Sequence, residues 1–261
     1  MQKTARTLLL MLGPLMLLAG CASIPGDKPD PRDPWERFNR ASFKFNDSLD
    51  RAIARPIAKA YVKVTPRVVR TGISNALSNL TTVSTVINDT LQGKFGQAGR
   101  DSARFLLNST LGLGGLFDPA TSAGLENNDE DFGQTLGKWG VKSGPYLMLP
   151  FLGPSTMRDT FARGVDQFTY PVNYLEDDST RYIIRAVDFL DLRAGLLDLD
   201  AQLERSYDRY AFVRNAWLQR REYQVKDGNV EDISLELEEE FEDDPAPAAA
   251  PEPAPAPETT K

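Results

Sequence analysis

The 261-residue chain has no histidine and a single cysteine. A Ser-His-Asp or Cys-His catalytic arrangement is therefore impossible. Disulfides within the chain and zinc sites of the His/Cys type are excluded as well. An enzyme made from these residues would have to rely on carboxylates, a Ser-Lys pair or a metal held by oxygen ligands. Beyond the N-terminus there is also no apolar run long enough to span a bilayer, which takes about 20 predominantly apolar residues. Positive charge is not in excess either. The formal net charge is -7, yet Glu231 to Asp244 alone holds nine acidic residues and no basic one, while Ala22 to Val230 carries 27 Lys/Arg against 26 Asp/Glu. So neutral a body has no electrostatic footprint for nucleic acid, and no nucleic-acid partner is expected.

The N-terminus supplies what the rest lacks. Lys3 and Arg6 precede an apolar stretch from Leu8 to Leu18, interrupted by Gly13 and Pro14, and small Ala19 and Gly20 lead into Cys21. This is the pattern of a secretory signal. Leu18-Ala19-Gly20-Cys21 resembles the bacterial lipobox, in which the cysteine sulfur takes a diacylglycerol before cleavage. Cys21 is accordingly expected to carry lipid, including palmitate. Acyl chains there would anchor the chain at about 0.8 kcal/mol per buried methylene group. Ala22 stands where an Asp would hold such a protein at the inner membrane, which favours the outer one.

Four regions are expected: a signal peptide over 1–20, a Pro- and Asp-rich tether over 21–34, a folded domain over 35–228, and an acidic, Pro/Ala-rich disordered tail over 229–261. Strand-like alternation is scarce in the body, so its fold class is all-α. Asp33 is a plausible cap for a helix opening at Trp35, with a stripe of Phe38, Ser42, Phe45, Leu49, Ala52 and Ile53 at spacings of three and four. Pro56 is expected to kink or end that helix. Further helices are predicted over Leu77 to Leu91, Gln97 to Thr110, Tyr182 to Leu199 and Asp200 to Val225. The middle, Leu111 to Pro154, is broken by glycines and is expected to hold a short hairpin or an irregular loop.

Several apparent motifs have plainer readings. Gly112-Leu113-Gly114-Gly115 lacks both the third glycine and the preceding strand of a dinucleotide loop, and reads as a helix C-terminal turn. The acidic runs Asp129 to Asp131 and Glu176 to Asp178 could in principle hold a hydrolytic carboxylate pair. Consecutive acids on a loop are more often caps and solvated turns. Ser42-Phe43-Lys44 lies on a helix and not at a sharp exposed turn. The apolar segments Phe105 to Phe117 and Tyr146 to Leu152 fit a soluble core, or, in a chain tied to a membrane, helices lying within one leaflet.

Taken in order, these stretches resemble the MlaA/VacJ lipoprotein family. The resemblance is carried by Asp33-Pro34-Trp35-Glu36-Arg37-Phe38-Asn39-Arg40, Phe43-Lys44-Phe45-Asn46, Arg104 to Asp118, Phe132-Gly133-Gln134-Thr135-Leu136-Gly137 and the run Gly140 to Asp159. It implies a ring-like bundle of amphipathic helices in the outer membrane, with no catalysis and no cofactor. It further implies removal of mislocalised phospholipid from the outer leaflet through an amphipathic channel. The implied partners are a trimeric porin and a periplasmic lipid carrier of the Mla pathway. Phe45 and Asn46 match a helix region that affects the channel, and Gly144, Pro145, Tyr146, Pro150 and Gly153 are further candidates for lining or gating it. The alternatives from composition are a structural envelope lipoprotein and a carboxylate-dependent envelope hydrolase.

Overall fold

The computed structural model describes residues 30–229. The signal peptide, Cys21, most of the tether and all but the first residue of the tail lie outside the described residues. The described chain is helical apart from one hairpin, as the all-α expectation requires. Helix α1 covers Glu36–Leu49 and passes through a π-helical turn, Asp50–Ala54, into α2, Arg55–Val64. Then come α3 (Arg67–Leu91), α4 (Phe95–Thr110), the single turn α5 (Pro119–Ser122) and α6 (Phe132–Lys138). Strands β1 (Tyr146–Leu149) and β2 (Gly153–Thr156) pair antiparallel, with Tyr146 opposite Thr156 and Leu149 opposite Gly153. Helices α7 (Met157–Asp166), α8 (Asp178–Gly195), α9 (Asp200–Arg205) and α10 (Arg209–Val225) follow. Helix α3 packs along α4, α2 along α8, and α6 along α7, while α1 lies against β1.

Several expected details are corrected. Pro56 neither ends nor breaks the helix. The Arg55 amide bonds back to the Asp50 carbonyl, five residues earlier, and Pro56 sits in the first turn of α2. Widening the turn ahead of a proline relieves the clash of its ring with the carbonyl one turn back. Asp33 does not cap α1, because Trp35 takes that position with no side-chain bond and the Asp33 carboxylate turns into the core. The stripe on α1 does not face inward as a unit. Asn39 and Ser42 are buried, whereas Phe45 and Ile53 are exposed. Helix α3 begins ten residues earlier than Leu77, after Pro66, and at Gly72 it runs close to the Leu116 carbonyl, 3.3 Å from where a Cβ would stand. The last predicted helix is two, because the chain leaves helical geometry at Ser206 and restarts at the Asp208 cap, whose carboxylate accepts from the Ala211 amide at 3.1 Å.

The interior is largely polar. On α3 the buried residues are Asn79, Thr82, Thr85, Asn88 and Asp89, and on α4 they are Ala98, Asp101, Arg104 and Asn108, at the spacing of one helix face. Buried polar groups cost free energy unless bonded. On α4 they are bonded: Arg104 donates to Asp118 at 2.6 Å and to the Leu125 carbonyl at 2.6 Å, and Asn108 donates to Asp118 at 3.0 Å. On α3, by contrast, one carboxylate oxygen of Asp89 and the amide oxygen of Asn79 have no partner among the described residues. Partial burial works against ionisation of Asp118, but bonds from Thr121, Arg104 and Asn108 outweigh it and hold the carboxyl at about 2. The glycines after α4 form a helix C-terminal turn, with the Gly115 amide on the Asn108 carbonyl at 2.8 Å. Gly115 has φ 93°, and a Cβ there would stand 2.6 Å from that of Asn79.

Apolar residues lie mainly outside. Val64 and Val68 are 79% exposed, Leu111 71%, Phe151 68% and Phe168 75%. The principal apolar cluster is small: Tyr146, Met148 and Tyr210, flanked by Phe43, Val213, Trp217 and Leu218. Among the described residues, no helix is long and apolar enough to cross a membrane.

Candidate functional site

Two asparagines, seven residues apart on one face of α1, hold the hairpin against the helix. Asn39 donates to the Tyr146 carbonyl at 3.1 Å and accepts from the Met148 amide at 2.8 Å. Asn46, two turns on, donates to the Leu149 carbonyl at 2.9 Å and accepts from the Phe151 amide at 2.8 Å. Each primary amide thus supplies one donor and one acceptor to the hairpin backbone, Asn39 to β1 and Asn46 to the end of β1 and the turn, where backbone groups would otherwise be unpaired. Phe45, next to Asn46, meets Phe151 edge-to-face at 5.0 Å between ring centres. Phe151 has φ 65°, a conformation that costs a residue with a side chain about 1–2 kcal/mol. The turn is therefore a strained element clamped from α1.

Asn39 is itself fixed from below. It donates to Asp33 at 2.7 Å, and the same carboxylate accepts from the Tyr210 hydroxyl and from Arg214 at 3.0 Å. Arg40 lies over the Tyr210 ring, 4.6 Å from its centre. Burial, with Asp33 beside it, raises the Tyr210 hydroxyl well above the usual phenol range, so it remains a donor.

On the far side of this clamp lies an apolar groove of about 450 Å³, walled by Phe43, Met148, Pro154, Leu196, Leu203 and Trp217. Apart from Arg220, its charged rim is internally paired. Arg193 reaches Asp50 at 2.5 Å and Asp200 at 2.9 Å, and Arg209 forks onto Asp47 at 2.6 and 2.7 Å. Next to the groove is a charged cavity of about 210 Å³ that includes Asp131, Asp159, Arg163, Asp166, Arg220 and Arg221. Arg221 bonds to Asp131 at 2.6 and 2.7 Å and to Asp159 at 3.0 Å. Gly133 makes room for this arrangement, since a Cβ there would stand 2.2 Å from Arg221 and 2.4 Å from Asp159. Burial, together with the charge of Asp131, pushes Asp166 up to about 6.

The candidates from sequence separate into different places. Asn46 and Gly153 line the groove. Phe45 and Pro150 do not; Phe45 packs on the turn of which Pro150 is part. Tyr146 is a core residue and not a lining one: it is fully buried, with its ring 6.3 Å from Tyr210 and 6.1 Å from Trp217. Gly144, at φ 68°, and Pro145, whose carbonyl accepts from the Met157 amide at 3.1 Å, position the start of α7 and do not reach the groove. Cys21 lies outside the described residues. Sequence reasoning missed Asn39 as a partner of the hairpin and Asp33 as the anchor of Asn39. The signal available was the seven-residue spacing of Asn39 and Asn46.

The acidic runs are accounted for structurally. Asp131 caps α6 and Asp177 caps α8 through bonds to backbone amides, and Glu130 pairs with Lys94 at 2.8 Å. Between α3 and α4, Asn128 bridges Asp89 at 3.3 Å and Asp101 at 3.4 Å. Burial raises Asp89 to about 7, helped by Asp101 and Glu130 and opposed by Lys94.

Comparison with known proteins follows the same outline. The family model described as MlaA lipoprotein matches residues 31–224. The intermembrane phospholipid transport system lipoprotein MlaA of Escherichia coli (strain K12) is 38% identical over 219 residues, covering 82% of this chain and 87% of that protein. Its counterpart of the same name in Haemophilus influenzae is 32% identical, covering 86% and 92%. An uncharacterised protein of Rickettsia prowazekii is 36% identical, covering 74% and 78%. A solved chain reported under "Structural basis for maintenance of bacterial outer membrane lipid asymmetry" is similar with a TM-score of 0.67 and 38% identity, over 74% of this chain and 98% of that one.

Proposed function

The chain belongs to the MlaA lipoprotein family, and from that premise we propose that it withdraws mislocalised phospholipid from the outer leaflet of the outer membrane and passes it towards the periplasm. The observation that carries this reading is the inverted distribution of polarity. Polar stripes of α3 and α4 face inward, large apolar side chains face outward, and no described helix can span a bilayer. A protein of that kind suits partial immersion in lipid. A soluble monomer rarely exposes extensive contiguous apolar surface.

The groove between α1, the hairpin, α9 and α10 supports the same reading. An acyl chain needs an apolar wall and a headgroup needs polar contacts, and both kinds of residue meet there. We place the control of passage at the clamped turn. Asn46 and Phe45 hold Pro150 and Phe151 closed over the approach to Gly153, while Gly144, Pro145 and Tyr146 set the hairpin's base. Lipid on Cys21 would hold the body at the periplasmic face, 21–34 would serve as its tether, and a trimeric porin and a periplasmic lipid carrier would act as partners. No bond is broken in such a cycle, so the role is transport and not catalysis.

Deleting the gene tests the proposal. Outer-leaflet phospholipid should rise and cells should become sensitive to detergent, and the wild-type gene should reverse both. Normal asymmetry in a clean deletion would remove this reading.

A further inference from the structure

Trp217 and Arg220, neighbours on one face of α10, line both the apolar groove and the charged cavity beside it. The two spaces are therefore adjacent and share one cation. The other arginines around them are engaged. Arg193 is held by Asp50 and Asp200, Arg221 by Asp131 and Asp159, and Arg163 donates to the carbonyls of Leu152 at 3.2 Å and Pro154 at 2.8 Å. Among the described residues, the Arg220 guanidinium makes no ion pair or hydrogen bond, although its charge is felt at a distance by Asp129. The carboxylates in its cavity are already committed. Asp131 and Asp159 are covered by Arg221 and Arg158, and Asp166 is turned to the Phe132 amide at 3.0 Å.

An uncommitted guanidinium at the end of an apolar groove fits one chemistry. Its planar fork matches two oxygens of a phosphate, and the groove is of the size that takes small apolar ligands, about 300–1,000 Å³. We propose that Arg220 receives the phosphodiester of a phospholipid whose acyl portion occupies the groove, with Trp217 between the two. This rests on the transport reading above and adds to it the atom group by which the lipid is recognised.

The test uses the full-length lipidated protein in a maltoside detergent, which has no phosphate. Equilibrium binding of radiolabelled dihexanoyl phosphatidylglycerol is compared with that of dihexanoylglycerol, and inorganic phosphate serves as competitor. The wild type should prefer the phospholipid by roughly tenfold or more, the usual worth of a hydrogen bond to a charged group. Arg220→Gln should abolish the preference by lowering phospholipid binding far more than dihexanoylglycerol binding, and Arg220→Lys should keep part of it. Full preference in Arg220→Gln, or equal loss of both ligands, overturns the assignment but leaves the transport reading standing. Displacement by inorganic phosphate at concentrations matching the phospholipid would make this a free-anion site and overturn the lipid as its source. A wild type that binds neither lipid overturns both the assignment and the transport reading.

Discussion

The side-chain amide of Asn46 accepts from the Phe151 amide at 2.8 Å and donates to the Leu149 carbonyl at 2.9 Å, so one residue of α1 holds the end of β1 and the middle of the hairpin turn. Asn46→Leu removes both bonds without removing bulk. Each such bond is worth about 1 kcal/mol, so the Phe151 amide should exchange with solvent roughly five- to thirtyfold faster in hydrogen-exchange measurements. If the turn gates lipid passage, cells carrying this variant should also become detergent-sensitive with normal protein levels. Unchanged exchange at Phe151 would show that the clamp does not hold the turn.

Phe151 combines a φ of 65° with an edge-on contact to Phe45. Ala and Gly at this position both lose the ring, but only Gly relieves the backbone. Phe151→Gly should therefore be more stable than Phe151→Ala by about 1 kcal/mol in denaturant unfolding, the reverse of the order on a helix. An Ala variant of equal or greater stability would argue against stored strain.

Asp33 accepts from Asn39, Tyr210 and Arg214 while almost fully buried. Asp33→Leu leaves these donors behind, and loss of one partner of a buried ion pair costs about 3–5 kcal/mol. Arg214 keeps its contact with Asp30 at 3.1 Å, which places the expected loss at the low end. Asp33→Asn, which retains an acceptor, should lose less. Thermal unfolding of the two variants gives the comparison, and equal stabilities would remove the charge from the account.

Asp89 gives a pH dependence of defined sign. Its carboxyl, facing Asp101, Glu130, Lys94 and Asn128, titrates near 7 in the folded protein because burial disfavours the charged form. In the unfolded chain it ionises at the ordinary carboxylate value of 3.8. Between those values the folded state holds the extra proton, so this residue lowers stability as pH rises from about 4 to about 7. Asp89→Asn carries no charge and can donate a hydrogen bond to Asp101. Its melting temperature relative to wild type should therefore climb across that range. A flat difference would contradict a raised Asp89.

Cys21→Ser removes the thiol on which the proposed acylation depends and changes no residue of the described body. The precursor should fail to reach its membrane and should not restore detergent resistance to a deletion strain. A functional, correctly located Ser variant would mean that the apolar exterior suffices as an anchor.

The sequence carried the helical class because 3.6-residue periodicity survives whichever side faces inward. What that periodicity could not say was which side. Phe45 and Ile53 of the first stripe are exposed while Ser42 of the same stripe is buried, so its regular spacing does not mark one buried face. Asn79, Thr82, Thr85 and Asn88 on α3 form an equally regular stripe, but polar residues in rows are ordinarily solvated. Of the site, Asn46 and Gly153 were legible from a short motif, whereas the inward turn of Asp33 was not. Its partners Tyr210 and Arg214 are about 180 residues away, and local capping rules explain an Asp before a helix well enough. Arg221 and Gly133 meet for the same long-range reason, beyond what spacing along the chain can specify.

The outward-facing Val64, Val68, Leu111 and Phe168 have a kinetic consequence. With that shell sunk in lipid, as the transport proposal requires, the protein would scarcely exist as a solute in three dimensions. Its encounters with lipid and with neighbours in the membrane would be set by how many copies share a given area and by lateral diffusion. Doubling expression would therefore raise its surface density, and with it the frequency of collision, without any change in the affinity of a single contact.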